Sequence, residues 1–273
     1  MKTKLIITAL VMALGLSACG SDKKADSSIV IGVAPGPYGD LAKIAIKPYL
    51  EKKGYSVELK EFSDWVQPNI ALGNKSIDTN VFQHKVYLDK FAADKGLSLT
   101  HSITIPTASL GLYSKKYKSV SEIPNGASVT IPTDASNLAR SLKFLQTIGL
   151  IKIKASVDLT KASEKDISEN PKKLKFTPVE AAQLPRTLDG VDLSVISGNY
   201  AIAAGIYPTA IVREILEEKY INGFAFRTED VDKQFVKDIR EAVGSKEFQE
   251  IVDDPKNGFS DFQKPEWLKG KAK

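Results

Sequence analysis

The sequence predicts an α/β protein of two closely connected lobes, and three observations carry that expectation. Short β-branched runs alternate with stretches of helical spacing, the pattern of strand–helix–strand units and largely parallel sheets. The 273 residues allow one or two domains, and no Pro/Gly/Ser-rich linker divides them, so two lobes would have to be joined intimately. The composition, 42% hydrophobic and 26% charged, is too apolar for a disordered chain. No run of about 20 apolar residues exists, which excludes a polytopic membrane protein. The single cysteine excludes a disulfide scaffold.

The chain opens on an export signal. Lys2 and Lys4 precede the uncharged run Leu5 to Leu16, too short to span a bilayer and suited to a signal-peptide core. Leu16-Ser17-Ala18-Cys19 resembles a bacterial lipobox, which implies removal of residues 1–18 and acylation of Cys19 as the first mature residue. Polar residues 19–28 read as a tether. The anchor would hold the protein at a membrane face, its folded part in water.

Ser28 to Ala34 reads as a buried strand. Pro35-Gly36-Pro37 breaks it, and Asp40 to Lys53 has helical spacing with a kink expected at Pro48. Strands are expected at Tyr55 to Phe62, Ser102 to Ile105, Leu110 to Tyr113, Ser128 to Ile131, Leu174 to Val179 and Leu193 to Ile196. Helices are expected at Asn137 to Ile148, at Ala181 to Leu188, and in the charged portion after Asp230. Residues 257–273 read as Lys-rich turns.

Much chemistry is excluded. Two histidines, His84 and His101, cannot build paired-histidine zinc sites, so neither a metal nor a cofactor is expected. No Gly-x-Ser-x-Gly elbow occurs. Gly73-Asn74-Lys75-Ser76 fails as a phosphate loop, and Gly32, Gly36 and Gly39 have the wrong spacing for a dinucleotide fingerprint. The net charge of +5, with scattered lysines, argues against nucleic acid as a partner.

Two segments concentrate unusual residues. Trp65, Phe82, His84 and Tyr87 lie among Asp, Gln and Asn, which suits aromatic walls around an apolar side chain with a polar head. Core packing is the alternative for such rings. In Pro132 to Arg140 a strand ends and Thr133, Asp134 or Ser136 can cap a helix. Asn137 and Arg140 then share its first-turn face, where free N–H groups and a guanidinium favour a carboxylate. Ser197 and Asn199, just after another strand, could line the opposite wall. Arg186 reads as half of a structural ion pair, His101 as a surface or strand-edge residue, and Trp267 as packing a tail onto the body.

At these residues the sequence resembles the methionine-binding lipoproteins, or NlpA family, of bacterial ABC importers. The likeness is carried by Phe62 to Asn69, Asp78 to Asp89, Tyr113-Ser114-Lys115-Lys116, Pro132 to Arg140, Gly149 to Lys154, Glu169-Asn170-Pro171-Lys172 and Gln183-Leu184-Pro185-Arg186, in order along nearly the whole chain. The resemblance implies a two-lobed periplasmic-binding-protein fold with a two-strand hinge and the ligand in the cleft. One lobe would comprise 29–109 and 218–273, the other 110–217. It implies an aromatic cage at Trp65, Phe82, His84 and Tyr87, a polar clamp at Asn137 and Arg140, and no catalysis. The expected partners are an amino acid, methionine first, and a permease with its ATPase. The protein would be a monomer, lipid-anchored at the cell or outer membrane and facing the periplasm or exterior. Two positions depart from the family's habit: Trp65 stands where tyrosine is common, and Ser197 where an asparagine contacts the ligand. These leave open a different amino acid or a short peptide as ligand. An exported hydrolase, with His84 beside Asp78 or Asp89 as an acid/base pair, is the reading from another class.

Overall fold

The computed structural model describes residues 27–34 and 36–269. The signal segment 1–18, Cys19, most of the tether and Pro35 lie outside the described residues. The strands are β1 (Ser28–Val33), β2 (Ser56–Glu61), β3 (Thr79–His84), β4 (Leu99–Thr104), β5 (Gly111–Tyr113), β6 (Ser128–Pro132), β7 (Lys152–Ile153), β8 (Ile167–Glu169), β9 (Lys175–Val179), β10 (Leu193–Ile196), β11 (Val212–Arg213) and β12 (Asn222–Arg227). The α-helices are α1 (Pro37–Leu41), α2 (Lys47–Lys52), α3 (Gln67–Gly73), α4 (Lys85–Lys95), α5 (Ala135–Thr147), α6 (Leu184–Thr187), α7 (Gly198–Ala203), α8 (Gln234–Gly244), α9 (Lys246–Asp253) and α10 (Glu266–Lys269).

They build two five-stranded sheets, ordered β2-β1-β3-β12-β4 and β11-β5-β10-β6-β9, plus a small β7-β8 pair. The sheets are less parallel than the alternating pattern predicts. β12 runs antiparallel to both β3 and β4, and β5 antiparallel to both β10 and β11. These reversed strands are the first ones the chain enters after crossing between the sheets, through residues 105–110 and 214–221. A strand arriving from the other lobe needs none of the long crossover that parallel neighbours in one sheet require.

The helix expected over Asp40 to Lys53 starts earlier, at Pro37, and contains a π-helical turn, Ala42–Ile46, directly before α2. Pro48 falls in the first turn of α2. The wider turn ahead of it accommodates a ring and a missing N–H that an uninterrupted α-helix would not. Elements the periodicity did not single out include β3, β12, α3 and α4. β3 is buried at every position, so its run shows no alternation to read.

The two crossings lie side by side. Ile105 N–H donates to Asn222 O (2.8 Å) and Glu214 N–H to Leu110 O (2.8 Å), and Asn222 N–H donates to Thr107 Oγ1 (2.9 Å). The C-terminal tail joins them. Gln263 exchanges two backbone bonds with Thr107 (2.9 Å each), and its side-chain Nε2 donates to Ser109 Oγ (2.6 Å) and Glu214 O (3.0 Å). Phe262 sits edge-on to Tyr38 of the first lobe and Tyr207 of the second. Those two hydroxyls accept the N–H groups of the adjacent residues Ala108 and Ser109. Trp267 does bind the tail to the body, donating from Nε1 to Thr104 Oγ1 (2.9 Å).

One hydrophobic cluster (Leu110, Val129, Ile131, Leu142, Leu145, Val195 and neighbours) is confined to the second lobe. A larger one spans both, from Ile31, Leu41 and Phe226 through Phe82 and Tyr87 to Ile196 and Tyr200. The lobes are therefore shut against each other. Among the described residues Arg186 forms no ion pair; its guanidinium donates to Gln183 Oε1 instead, the side chain one helical turn back.

Candidate functional site

The first lobe contributes rings. Asp64 Oδ1 accepts the N–H groups of Val66 (2.7 Å) and Gln67 (2.8 Å), a side-chain turn that presents Trp65. Trp65 stacks on Tyr200 of α7 across the cleft, with centroids 4.9 Å apart and planes at 28°. Its other neighbour is Tyr87, edge-on at 5.9 Å, whose hydroxyl donates to Trp65 O. Phe82 and His84 are two residues apart on β3 and so share a face.

His84 ends β3 and caps α4. Tyr87 N–H donates to its Nδ1 (3.1 Å), which assigns the ring proton to Nε2, and Nε2 donates across the cleft to Asn137 Oδ1 (3.1 Å). Burial, reinforced by the Arg140 charge, lowers its pKa from 6.5 to about 3, against the Asn137 bond that raises it. His84 is thus a neutral link between lobes. The acid/base pairing expected of a hydrolase does not form: Asp78 accepts Val30 N–H (2.9 Å) and faces Arg227 (3.5 Å), while Asp89 pairs with Lys85 (2.6 Å).

The second lobe contributes directed polar groups. Asp134 is the cap of α5, accepting Asn137 N–H (2.9 Å), and also takes the Asn137 side-chain amide (3.0 and 3.2 Å). The Asn137 amide is therefore engaged at both ends, to Asp134 and to His84. Arg140, only 5% exposed, gives Nε and Nη2 to Glu214 (3.0 and 2.5 Å), and its guanidinium lies 4.9 Å over the Tyr220 ring. Ser197 occupies the cap position of α7 without making the cap bond, and its buried hydroxyl has no hydrogen-bond partner among the described residues; nor does Trp65 Nε1. Gly198 is obligatory, since a Cβ there would lie 2.6 Å from the Ala108 side chain. Gly36, at φ +114°, passes so close to Asn199 that a Cβ would meet its carbonyl oxygen at 2.8 Å.

These walls meet at one pocket, and all eight residues singled out in the sequence (Trp65, Phe82, His84, Tyr87, Asn137, Arg140, Ser197 and Asn199) line it. The sequence reading missed Tyr38, Gln83, Thr107, Ala108, Gly198 and Asn222. Of these, Gln83 carried a signal, an amide between Phe82 and His84 in a segment already singled out. Gln83 lies in a buried amide network with Asn69 and Asn80, which fixes its orientation. Among the described residues no cluster of three or more His, Cys, Asp or Glu could hold a metal ion, and no helix is long and apolar enough to cross a membrane.

Comparison with known proteins adds the lineage. The family model for NlpA lipoprotein matches residues 29–267. The chain is 41% identical over 264 residues to the D-methionine-binding lipoprotein MetQ of Salmonella typhi and 40% identical over 264 residues to that of Escherichia coli K12, each alignment covering 94% of this chain and 96% of the relative. Among solved structures it is similar to a nutrient binding protein from Burkholderia cenocepacia bound to methionine (TM-score 0.80, 40% identity, 85% of this chain and 98% of that one). It is also similar to the methionine binding protein MetQ (TM-score 0.81, 38% identity, 88% and 98%).

Proposed function

Because the chain belongs to the NlpA lipoprotein family, we propose that it is the solute-binding lipoprotein of an ABC importer and captures methionine between its lobes. The observation that carries this reading is the pocket between the lobes with rings on one side and Arg140 on the other. The thioether chain of methionine fits among Trp65, Phe82 and Tyr87, where apolar and sulfur–aromatic contacts are favourable. Its carboxylate faces Arg140, and Ser197 and Asn199 are within the same wall.

Closure follows from the contacts across the cleft. The His84–Asn137 bond, the Trp65–Tyr200 stack and the Gly36–Asn199 approach exist only with the lobes together. A ligand touching both walls adds to these in the closed form alone, and that differential affinity drives closure. The closed face is what a permease with its ATPase would engage, and the protein acts as a monomer that carries out no catalysis. It is a membrane-anchored lipoprotein; Cys19 bears the lipid and the folded lobes face the periplasm or exterior.

Calorimetry on protein freed of co-purified ligand tests the reading. Tight binding of L- or D-methionine, with alanine at least a hundredfold weaker, is expected. No heat with either isomer, together with another molecule identified by native mass spectrometry, overturns it.

A further inference from the structure

We propose that Glu214 is a positioning residue that aims Arg140 at the ligand carboxylate; the inference rests on the assignment of Arg140 to that carboxylate. Glu214 is absent from the cavity wall, and acts through Arg140 alone. Its carboxylate takes Nε and Nη2 in a bidentate pairing, while Tyr220 covers the face of the guanidinium. The pairing leaves Nη1 as the nitrogen not engaged by Glu214, so the planar fork has one orientation rather than several.

The platform under this carboxylate is fixed. Glu214 begins the second crossing; its N–H donates to Leu110 O on the first crossing and its own carbonyl accepts Gln263 Nε2 from the tail. Arg140 rides on α5 of the second lobe, so the pairing ties the anion grip to the segment around which the lobes turn. One helical turn further along, Lys143 pairs with Glu217 on the same crossing. That pair provides an internal control: Glu217 is 48% exposed, against 12% for Glu214, and an exposed pair of this kind contributes little.

The readout is the ratio of affinities for methionine and methioninol, which lacks the carboxylate, measured by calorimetry in the wild type and in Arg140→Ala, Glu214→Gln, Glu214→Asp and Glu217→Gln. A role confined to stability lowers both affinities together and leaves the ratio alone. The expected result is a ratio at least tenfold lower in Glu214→Gln, an intermediate value in Glu214→Asp, and the wild-type value in Glu217→Gln. In the double variant Arg140→Ala/Glu214→Gln, the second change adds nothing to the first. A ratio unchanged or raised in Glu214→Gln, or lowered equally in Glu217→Gln, overturns the inference while leaving Arg140 in place. If Glu214→Gln does not fold, the same criteria apply to Glu214→Asp, for which an unchanged ratio is equally fatal. Should Arg140→Ala itself keep the wild-type ratio, the assignment of Arg140 falls, and the role of Glu214 falls with it.

Discussion

The wall supplied by the first lobe is made of rings that pack against one another, and the wall supplied by the second is made of groups that point. Trp65, Phe82 and Tyr87 hold each other by edge and face contacts and would keep their arrangement with little help from outside. Arg140 and Asn137 depend on partners, Glu214 for the one and Asp134 with His84 for the other, while the Ser197 hydroxyl has none among the described residues. The difference teaches where affinity and where selectivity reside. Rings accept any side chain of suitable size, whereas a bidentate guanidinium accepts a carboxylate in few orientations.

Removing the pointing wall is the strongest way to break this division. Arg140→Ala should weaken methionine binding by about 3 kcal/mol, roughly a hundredfold, since it leaves a desolvated carboxylate unpaired. The preference for methionine over alanine should survive, because the rings are untouched; calorimetry with both ligands measures each effect. Trp65→Ala should do the reverse. Methionine affinity falls by about 2 kcal/mol and the preference over alanine shrinks with it, and a preserved preference would move the side chain away from Trp65.

Acid sharpens the comparison by acting on the link between the walls. His84 and His101 are held by burial near pKa values of about 3 and about 4, below the 6.5 they regain on unfolding. Below pH 6.5 the unfolded chain binds more protons than the folded one, so stability falls as pH drops from about 6.5 towards 4. A melting temperature several degrees lower at pH 5 than at pH 7 is expected, with methionine affinity flat from pH 6 to 8. A step in affinity near 6.5 would mean that His84 is charged in the complex. The smallest effect should come from Ser197→Ala. Deleting an unpartnered buried hydroxyl costs the free protein nothing in melting temperature, yet methionine affinity should drop a few-fold if the hydroxyl meets the ligand.

The residues of the site were legible because each announces its chemistry locally. Rings among amides, and an arginine one turn into a capped helix, are conspicuous in any order of strands. Glu214 was not legible, since one glutamate in Arg213-Glu214-Ile215-Leu216-Glu217-Glu218 looks like any solvated charge. Only the crossing of the chain brings it under Arg140. In the fold, β1 and α5 could be read from alternation and helical spacing. β3 and β12 could not, because strands buried on both faces lose the period that marks them. The reversal of β5 and β12 was hidden for another reason: direction belongs to the path between lobes, which no local pattern records.

The placement of β12 between β3 and β4 has a consequence for how the chain is made. The second sheet is complete once residue 213 has been synthesised, but the first still lacks its inner strand and cannot zip until residues 222–227 arrive. A nascent chain stopped short of them carries one finished half and one with an open seam.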